Sequence, residues 1–144
     1  MLFRSNVGDR VIVIAGSRNE RGQITTLGFD YDGGYAEYVV ADSYLVIKIP
    51  DSLSFEEAAI IPDAVSTPWA AISSTANMKS GESVAVFGVG GLGIHAVQLL
   101  KVVGCNPIIA IDPRPEARQK ALEVGATHCF SPDDPELQIG RAHV

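Results

Sequence analysis

The sequence predicts an α/β protein whose second half is the start of a doubly wound parallel sheet. Two nearly continuous apolar runs, SVAVFGV (83–89) and PIIAID (107–112), have the length and composition of strands that are buried on both faces of such a sheet. Each run is followed by a segment with helical apolar spacing, and the connections are short. A glycine-rich loop joins the first run to its helix, where the chain must turn sharply.

The bulk composition excludes several classes of protein. Of the 144 residues, 47% are hydrophobic and 19% are charged, which is typical of a globular protein with a real core. The net charge is −6 without a basic stripe, so we expect no nucleic-acid partner. No apolar run approaches the roughly 20 residues of a membrane span, and the start lacks the apolar segment of a secretory signal. We therefore expect a cytoplasmic protein without a membrane partner.

The two cysteines, Cys105 and Cys129, are far apart in sequence and do not have the spacing of a redox or zinc motif. In a reducing cytoplasm we expect both to be small buried hydrophobic side chains rather than a disulfide.

The two ends of the chain do not resemble natural protein. MLFRS and IGRAHV look like translations of the synthetic adapters that are ligated to DNA fragments before sequencing. We therefore expect the natural sequence to run from about Asn6 to Gln138, as an internal piece of a longer protein, and we exclude the tails from the fold argument.

The first half begins with β-strand patterns. GDRVIVIA (8–15) predicts a turn that leads into a short strand rich in β-branched residues. The polar, glycine-containing stretch 16–34 is too long and too charged for a buried element. YAEYVVA (35–41) alternates like a strand, and YLVIKIP (44–50) predicts another strand that ends at its proline.

Two short helices are predicted next. Ser54 and Glu57 have the reciprocal spacing of a capping box ahead of an apolar run, which predicts a helix start. Pro62 is predicted to end that helix, and a second helix is predicted over about 64–77. The surface turn that follows places the boundary between the two halves near 79–82.

The second half reads β-α-β-α-β. After the strand at 83–89, the segment GLGIHAVQLLKVVG (91–104) predicts a helix, and PIIAID predicts the second strand. RPEARQKALEVG (114–125) predicts a second helix, and ATHCF (126–130) a third strand.

The loop after the first buried strand has the spacing G-x-G-x-x-G between a strand and a helix, as a dinucleotide-binding loop requires. Gly88 permits the sharp turn, Gly90 lets the backbone approach a pyrophosphate, and Gly93 lets the helix pack closely on the strand. Free N–H groups at the start of the helix can then hold phosphate oxygens. The predicted cofactor-binding residues of this loop are Gly88, Val89, Gly90, Gly91, Leu92 and Gly93.

Asp112 ends the second strand, 19 residues after Gly93, where a carboxylate would accept both ribose hydroxyls of NAD. The same charge would repel the 2′-phosphate of NADP. Arg114 is near enough to leave some room for NADP, but the acid favours NAD. A flavodoxin-like or S-adenosylmethionine-binding sheet with the same loop remains an alternative.

Asp63 is the one carboxylate in the apolar run AAIIPDAVSTPWAAI (58–72). Aspartate is among the best helix N-caps, so the residues alone favour a capping role ahead of the second helix. A metal ligand is the alternative reading of a charge among apolar residues.

Several segments together resemble the medium-chain zinc-dependent alcohol dehydrogenases in order and spacing. They are DGGYAEYVV, IPDSLSFEEAA, TPWAAI, GESVAVFGVGGLGIHAVQLLK and ALEVGAT, and the resemblance covers nearly all of residues 7–134. It implies a partial GroES-like, β-rich catalytic domain over 6–79. A partial NAD-binding Rossmann domain over 80–138 would follow it.

The resemblance also implies roles for single residues. Asp63 falls on the position of the third protein ligand of the catalytic zinc, and we expect it to be buried because it faces a metal. Thr67 matches the threonine that lies beside the nicotinamide ring and is predicted to be catalytic. The implied reaction is hydride transfer between a small alcohol, or the matching aldehyde or ketone, and NAD. The implied full-length protein is a homo-oligomer.

The chain departs from the family pattern at several places. The family's other catalytic zinc ligands lie upstream of what this chain contains, so we expect the chain itself to be inactive. No cysteine lies between Ile14 and Tyr35, where many members bind a structural zinc, so we predict none. The basic residue that often follows the acid by five positions is Ala117 here, and Arg118 is predicted to take its place over the adenosine.

Two other functions remain open. The zinc-free quinone and enoyl reductases share the fold, but they resemble GAAGGVG at the loop and lack an acid or cysteine at the position of Asp63. A relative that binds nucleotide without turnover is the second alternative. His95 and His128 lie outside any Cys/His cluster and are predicted to be packing or surface residues.

Overall fold

The computed structural model describes residues 5–18, 21–135 and 137. These residues form two compact units that divide between Pro62 and Asp63. The predicted boundary between the two domains, at 79 and 80, stays a prediction. Most of the two strings that resemble adapter translations lies outside the described residues.

The first unit contains two small antiparallel sheets. β1 (Val11–Val13) pairs with β4 (Val46–Lys48), and β2 (Gly16–Arg18) pairs with β3 (Ile24–Thr26). A short 3₁₀ turn, Ser43–Leu45, leads into β4. The strands predicted at 8–15 and 44–50 are therefore confirmed, although both are shorter than predicted. The polar stretch 16–34 was predicted to hold no buried element, and it forms the β2–β3 hairpin.

The strand predicted at 35–41 is wrong. These residues have no strand conformation, and Tyr35, Tyr38 and Val40 are almost fully exposed. A strand needs a hydrogen-bonded partner for its backbone groups, and within the described residues this segment pairs with no other strand. Its alternating pattern alone does not supply that partner.

The capping box at Ser54 is confirmed. The Ser54 hydroxyl accepts a hydrogen bond from the Glu57 amide at 3.1 Å, and the Glu57 carboxylate accepts one from the Ser54 amide at 2.8 Å. Helix α1 follows as Phe55–Ala59. The Arg10 guanidinium covers the Phe55 ring at 4.5 Å from its centroid, which ties the helix start to the residue directly before β1.

Helix α1 ends at Ala59, with Ile60 as its C-cap, shortly before the predicted stop at Pro62. A wide helical turn, Ile61–Val65, continues into α2 (Ser66–Ala70) and a second wide turn, Ala71–Thr75. Proline is tolerated in the first turn of a helical segment because the amide that it lacks has no partner there. The predicted helix at 64–77 is therefore present, but it begins earlier and is not regular throughout.

The second unit holds the predicted β-α-β-α-β arrangement. Its elements are β5 (Val84–Phe87), α3 (Gly91–Val103), β6 (Ile108–Ile111), α4 (Pro115–Val124) and β7 (His128–Phe130). The three strands are parallel in the order β5-β6-β7, with Val84 opposite Ile108 and Ile109 opposite His128. The α/β fold with a partial doubly wound sheet is confirmed.

The core of this unit lies between β6 and the two helices. Val97, Leu100 and Ile108 are at most 2% exposed, and Ala110 and Ala121 pack with them. Both helices end at glycines with positive φ, Gly104 and Gly125, which is the usual helix stop.

The prediction that the first apolar run is buried on both faces is wrong. In β5 the exposure alternates, and Phe87 is 65% exposed, whereas three of the four β6 residues are buried. β5 lies at the edge of the three-stranded sheet, and β6 lies at its centre. β6 is therefore paired along both of its edges, whereas β5 has one neighbouring strand among the described residues.

Both cysteines are free, as predicted; Cys105 is buried and Cys129 is half-buried. Burial raises the pKa of each thiol. Among the described residues, no helix has the length and the apolar character that crossing a membrane would require.

Candidate functional site

The glycine loop follows β5 in the tight form that its spacing predicts. Gly88 has a φ of +80°, which favours glycine, and its amide donates to the Ile111 carbonyl at 2.8 Å. A Cβ on Gly93 would overlap the Gly88 carbonyl oxygen, so a side chain at Gly93 has no room. The loop is therefore held against β6 by backbone contact, and α3 begins directly on it.

The start of α3 presents free backbone donors. Gly90 is the N-cap, no side chain caps this end, and the first turn carries no acidic residue. The first intrahelical bond runs from the Ile94 amide to the Gly90 carbonyl at 2.9 Å, which leaves the amides of the preceding turn without helical partners. With the partial positive charge of the helix end, this geometry suits phosphate oxygens.

Asp112 is buried at the carboxyl end of β6, with 3% of its surface exposed. Its Oδ2 accepts from the Val89 amide at 2.9 Å and from Arg114 Nη2 at 3.2 Å. Its Oδ1 accepts from the Arg114 amide at 2.9 Å and from Arg114 Nε at 3.0 Å. The acid thus joins the glycine loop to the segment after β6.

These donors keep Asp112 ionised. The side-chain and backbone hydrogen bonds from Arg114 hold the pKa of the Asp112 carboxyl well below its usual range, and the Val89 amide adds to the effect. Desolvation acts in the opposite direction but is outweighed. The site therefore offers a buried, ionised carboxylate next to the glycine loop.

A cavity of about 400 Å³ opens between the glycine loop and the start of α4. It is bordered by two cations, Arg114 and Lys120, and by one acid, Glu116. The remaining lining residues are Val89, Gly90, Ile94 and Ala117. The volume and the mixture of apolar surface with a few charges suit part of a nucleotide.

Arg118, predicted to lie over the adenosine, makes a different contact in this structure. Its Nη1 donates to the carbonyl of Asp112 at 2.6 Å and to that of Pro113 at 2.9 Å. It therefore fixes the backbone that carries the acid, and it does not line the cavity. A direct cofactor contact of Arg118 stays a prediction.

The expectation that Asp63 is buried is wrong. Its side chain is exposed, and its Oδ1 accepts a hydrogen bond from the Thr67 hydroxyl at 2.9 Å. Asp63 also lies inside the helical turn Ile61–Val65 rather than before it, so it is not an N-cap. The two residues are four apart on one helical face, and this spacing brings their side chains together.

The described residues do not by themselves fit a catalytic zinc ion. Such a site uses three protein ligands and keeps a fourth position open. Within residues 5–18, 21–135 and 137, no group of three or more His, Cys, Asp or Glu side chains could hold a metal. Asp63 can supply one ligand at most.

The two histidines have the packing or surface positions that were predicted. His95 is half-buried, and its Nδ1 lies 3.5 Å from the Gln98 amide nitrogen. His128 is exposed, with its Nδ1 at 2.9 Å from the Thr127 hydroxyl.

The fold and the site together define a class of protein. A strand, a glycine loop, a helix with free amides and a buried acid at the end of the next strand are typical of domains that bind dinucleotides. Residues 91–142 match the sequence model of the zinc-binding dehydrogenase family.

The chain is similar to known alcohol dehydrogenases in sequence and structure. It is 47% identical over 105 residues to the alcohol dehydrogenase of Geobacillus stearothermophilus, a match that covers 73% of this chain and 31% of that protein. The crystal structure of the alcohol dehydrogenase of Aeropyrum pernix matches with a TM-score of 0.75 and 34% identity, over 86% of this chain and 41% of that chain. Acetophenone reductase of Geotrichum candidum, in complex with NAD, matches with a TM-score of 0.78 and 28% identity, over 87% of this chain and 40% of that chain.

The chain resembles the medium-chain, zinc-type alcohol dehydrogenases, and the resemblance found in the sequence is confirmed. Its relatives are oxidoreductases. The chain spans about a third of the length of the curated relatives that it matches.

Sequence reasoning missed the contact that Arg114 makes. The residue was noted only as near enough to the acid to leave some room for NADP, whereas its guanidinium donates to both carboxylate oxygens of Asp112. The signal available in the sequence was an arginine two residues after the acid. A bidentate fork on a carboxylate is the arrangement that arginine favours.

Proposed function

We propose that this chain carries the adenosine side of the cofactor site of an NAD-dependent, zinc-type alcohol dehydrogenase. The complete protein that contains it transfers a hydride between a small alcohol and NAD, and the matching product is an aldehyde or ketone. The observation that carries the proposal is the buried Asp112, which accepts a hydrogen bond from the Val89 amide of the glycine loop and is paired with Arg114. Val89 and Arg114 both line the cavity of about 400 Å³.

Each group at this site has a defined task. The amides of Gly91 and Leu92 at the start of α3 hold the pyrophosphate, because they are free donors at the positive end of a helix. Asp112 accepts the two ribose hydroxyls and disfavours a 2′-phosphate, so NAD is preferred over NADP. The nicotinamide supplies the hydride acceptor when NAD is bound.

Asp63 and Thr67 are proposed to lie at the reacting end of the complete protein. Asp63 would be one zinc ligand there, and the remaining ligands would come from sequence that the described residues do not include. The Thr67 hydroxyl donates to Asp63 in this structure. In the complete protein it would lie beside the nicotinamide, where it would pass a proton. A cytoplasmic location and a homo-oligomeric assembly stay predictions.

The test uses the complete protein and measures NAD binding, zinc content and alcohol oxidation together. We expect about one zinc per subunit and turnover with NAD, and we expect Asp63→Ala to lose both zinc and turnover. Asp133→Ala, which removes an exposed carboxylate elsewhere in the second unit, should leave all three unchanged.

The other outcomes separate the alternative functions. Turnover without zinc would match the zinc-free quinone and enoyl reductases and refute the metal role of Asp63. Nucleotide binding without turnover would match the non-catalytic relative. For Thr67, the hydroxyl is tested by Thr67→Val, which we expect to lower turnover about 10²-fold, whereas Thr67→Ser should retain most of it.

A further inference from the structure

Asp112 has no acceptor site left for a ribose. A carboxylate offers about four lone-pair positions on its two oxygens. In this structure all four are taken, by the amides of Val89 and Arg114 and by Nε and Nη2 of the Arg114 side chain. A ribose that places both hydroxyls on this acid must therefore displace two existing donors.

The two donors that can leave are those of the Arg114 side chain. The Val89 amide belongs to the glycine loop, and the Arg114 amide is fixed because Arg118 holds the neighbouring carbonyls of Asp112 and Pro113. The Arg114 side chain, by contrast, is 55% exposed, and within the described part of the chain its side-chain hydrogen bonds go to Asp112. It can swing into solvent without disturbing the backbone around the acid.

The number and direction of the bonds match a ribose diol. The guanidinium gives two N–H donors to the two carboxylate oxygens, and the 2′ and 3′ hydroxyls of a ribose also give two donors. Nη2 lies 4.0 Å from the place where a Cβ would stand on Gly90, so the guanidinium reaches across the glycine loop. The same side chain lines the cavity that a nucleotide would enter.

We propose that Arg114 is an internal competitor for the cofactor ribose, which holds both oxygens of Asp112 until the ribose diol replaces it. The inference rests on the proposed function, because it assumes that adenosine binds at this loop. Arg114 thereby keeps the buried acid paired when no nucleotide is present, and it weakens binding of any ligand that uses the diol. Ligands without the diol do not have to displace it.

The test compares two probes that differ only in the diol, ADP and 2′,3′-dideoxy-ADP, on the full 144-residue chain by titration calorimetry. In the wild-type chain the two dissociation constants should be similar, because the diol gains little over Arg114. In Arg114→Ala the ratio of the dideoxy-ADP constant to the ADP constant should rise about tenfold. Arg114→Gln, which removes the charge and keeps a side chain of similar length, should raise it as well.

Lys120→Ala is the matched control. It removes the other cation of the same cavity, which has no hydrogen bond to Asp112 among the contacts of the described residues. It should change both dissociation constants by the same factor and leave their ratio as in the wild-type chain. Circular dichroism and thermal melting of each variant show whether it is folded.

The outcomes separate this inference from the function on which it rests. An unchanged ratio in both Arg114 variants, with ADP still bound, overturns the competitor role and leaves the proposed function standing. A ratio that rises equally in Lys120→Ala overturns it too, since the effect would then be one of general charge. If ADP binds neither the folded wild-type chain nor the variants, the adenosine site itself is refuted, and the inference fails with it.

Discussion

Replacing Gly93 by alanine tests the tightest contact of the glycine loop. A Cβ there would lie 2.9 Å from the carbonyl carbon of Gly88 and closer still to its oxygen. Ordinary carbon–carbon contacts begin at about 3.5 Å, so the helix and the loop must separate by about 0.6 Å or more. Gly88 cannot yield easily, because its positive φ and its bond to the Ile111 carbonyl fix it against β6.

The expected cost is that of an overpacked site, about 1–3 kcal/mol. With a urea dependence of about 2 kcal/mol per molar for a small protein, a loss of about 2 kcal/mol lowers the unfolding midpoint by about 1 M. Equilibrium urea unfolding followed by circular dichroism measures this shift. Hydrogen exchange should also show weaker protection of the Gly88 amide, since the bond that it makes lies in the displaced loop.

Gly91→Ala is the matched control two residues away. A Cβ at Gly91 meets nothing within 4 Å, and the residue lies in the first turn of the same helix. Its stability should stay within about 0.5 kcal/mol of the wild-type chain. The packing argument is refuted if Gly93→Ala is equally stable, or if Gly91→Ala loses as much.

Two further predictions concern the second unit. Val97→Ala should lower the free energy of unfolding in urea by about 2 kcal/mol, because Val97 is fully buried. Val102→Ala on the same helix should lower it by less than about 0.5 kcal/mol, because Val102 is 81% exposed. Equal losses of unfolding free energy in the two variants would contradict the assigned core. The pKa of Asp112 is lower in the folded chain than its ordinary value of 3.8, so the folded state binds fewer protons than the unfolded state. The ionised Asp112 therefore stabilises the fold at pH values above 3.8. This stabilisation is lost as the pH falls through the lower pKa of the folded state. Urea midpoints measured between about pH 5 and pH 3 should therefore fall more steeply for the wild-type chain than for Asp112→Asn, and parallel curves would refute the assignment.

The second half of the chain could be predicted because its signals are local. Each strand of the β5-β6-β7 sheet is followed at once by its helix or turn, and the parallel order follows from short right-handed crossovers. The glycine loop and the position of the acid come from the same short unit. The loop and the acid can therefore be placed without knowledge of any contact between distant parts of the sequence.

The first half was harder because its elements depend on distant partners. The segment 35–41 alternates like a strand, yet a strand forms only where another strand satisfies its backbone, and no sequence pattern names that partner. Exposure of β5 was missed for the same reason, since an apolar run does not say whether a neighbour covers it. Pro62 does follow the end of the first helix, but it also lies in the first turn of the next helical segment, which therefore begins earlier than predicted.

Asp63 and Asp112 show why a carboxylate among apolar residues is a weak signal by itself. Both follow apolar runs, but only Asp112 is buried, and it is buried with four hydrogen-bond donors around it. An ionised carboxylate leaves water only when such donors replace the water that it loses. In the described residues Asp63 has the Thr67 hydroxyl as its hydrogen-bond donor and stays at the surface. Burial of a charge is therefore decided by the donors that the fold brings to it. For Asp112, two of the four donors come from the exposed side chain of Arg114, and a ribose diol would replace them with two donors of its own.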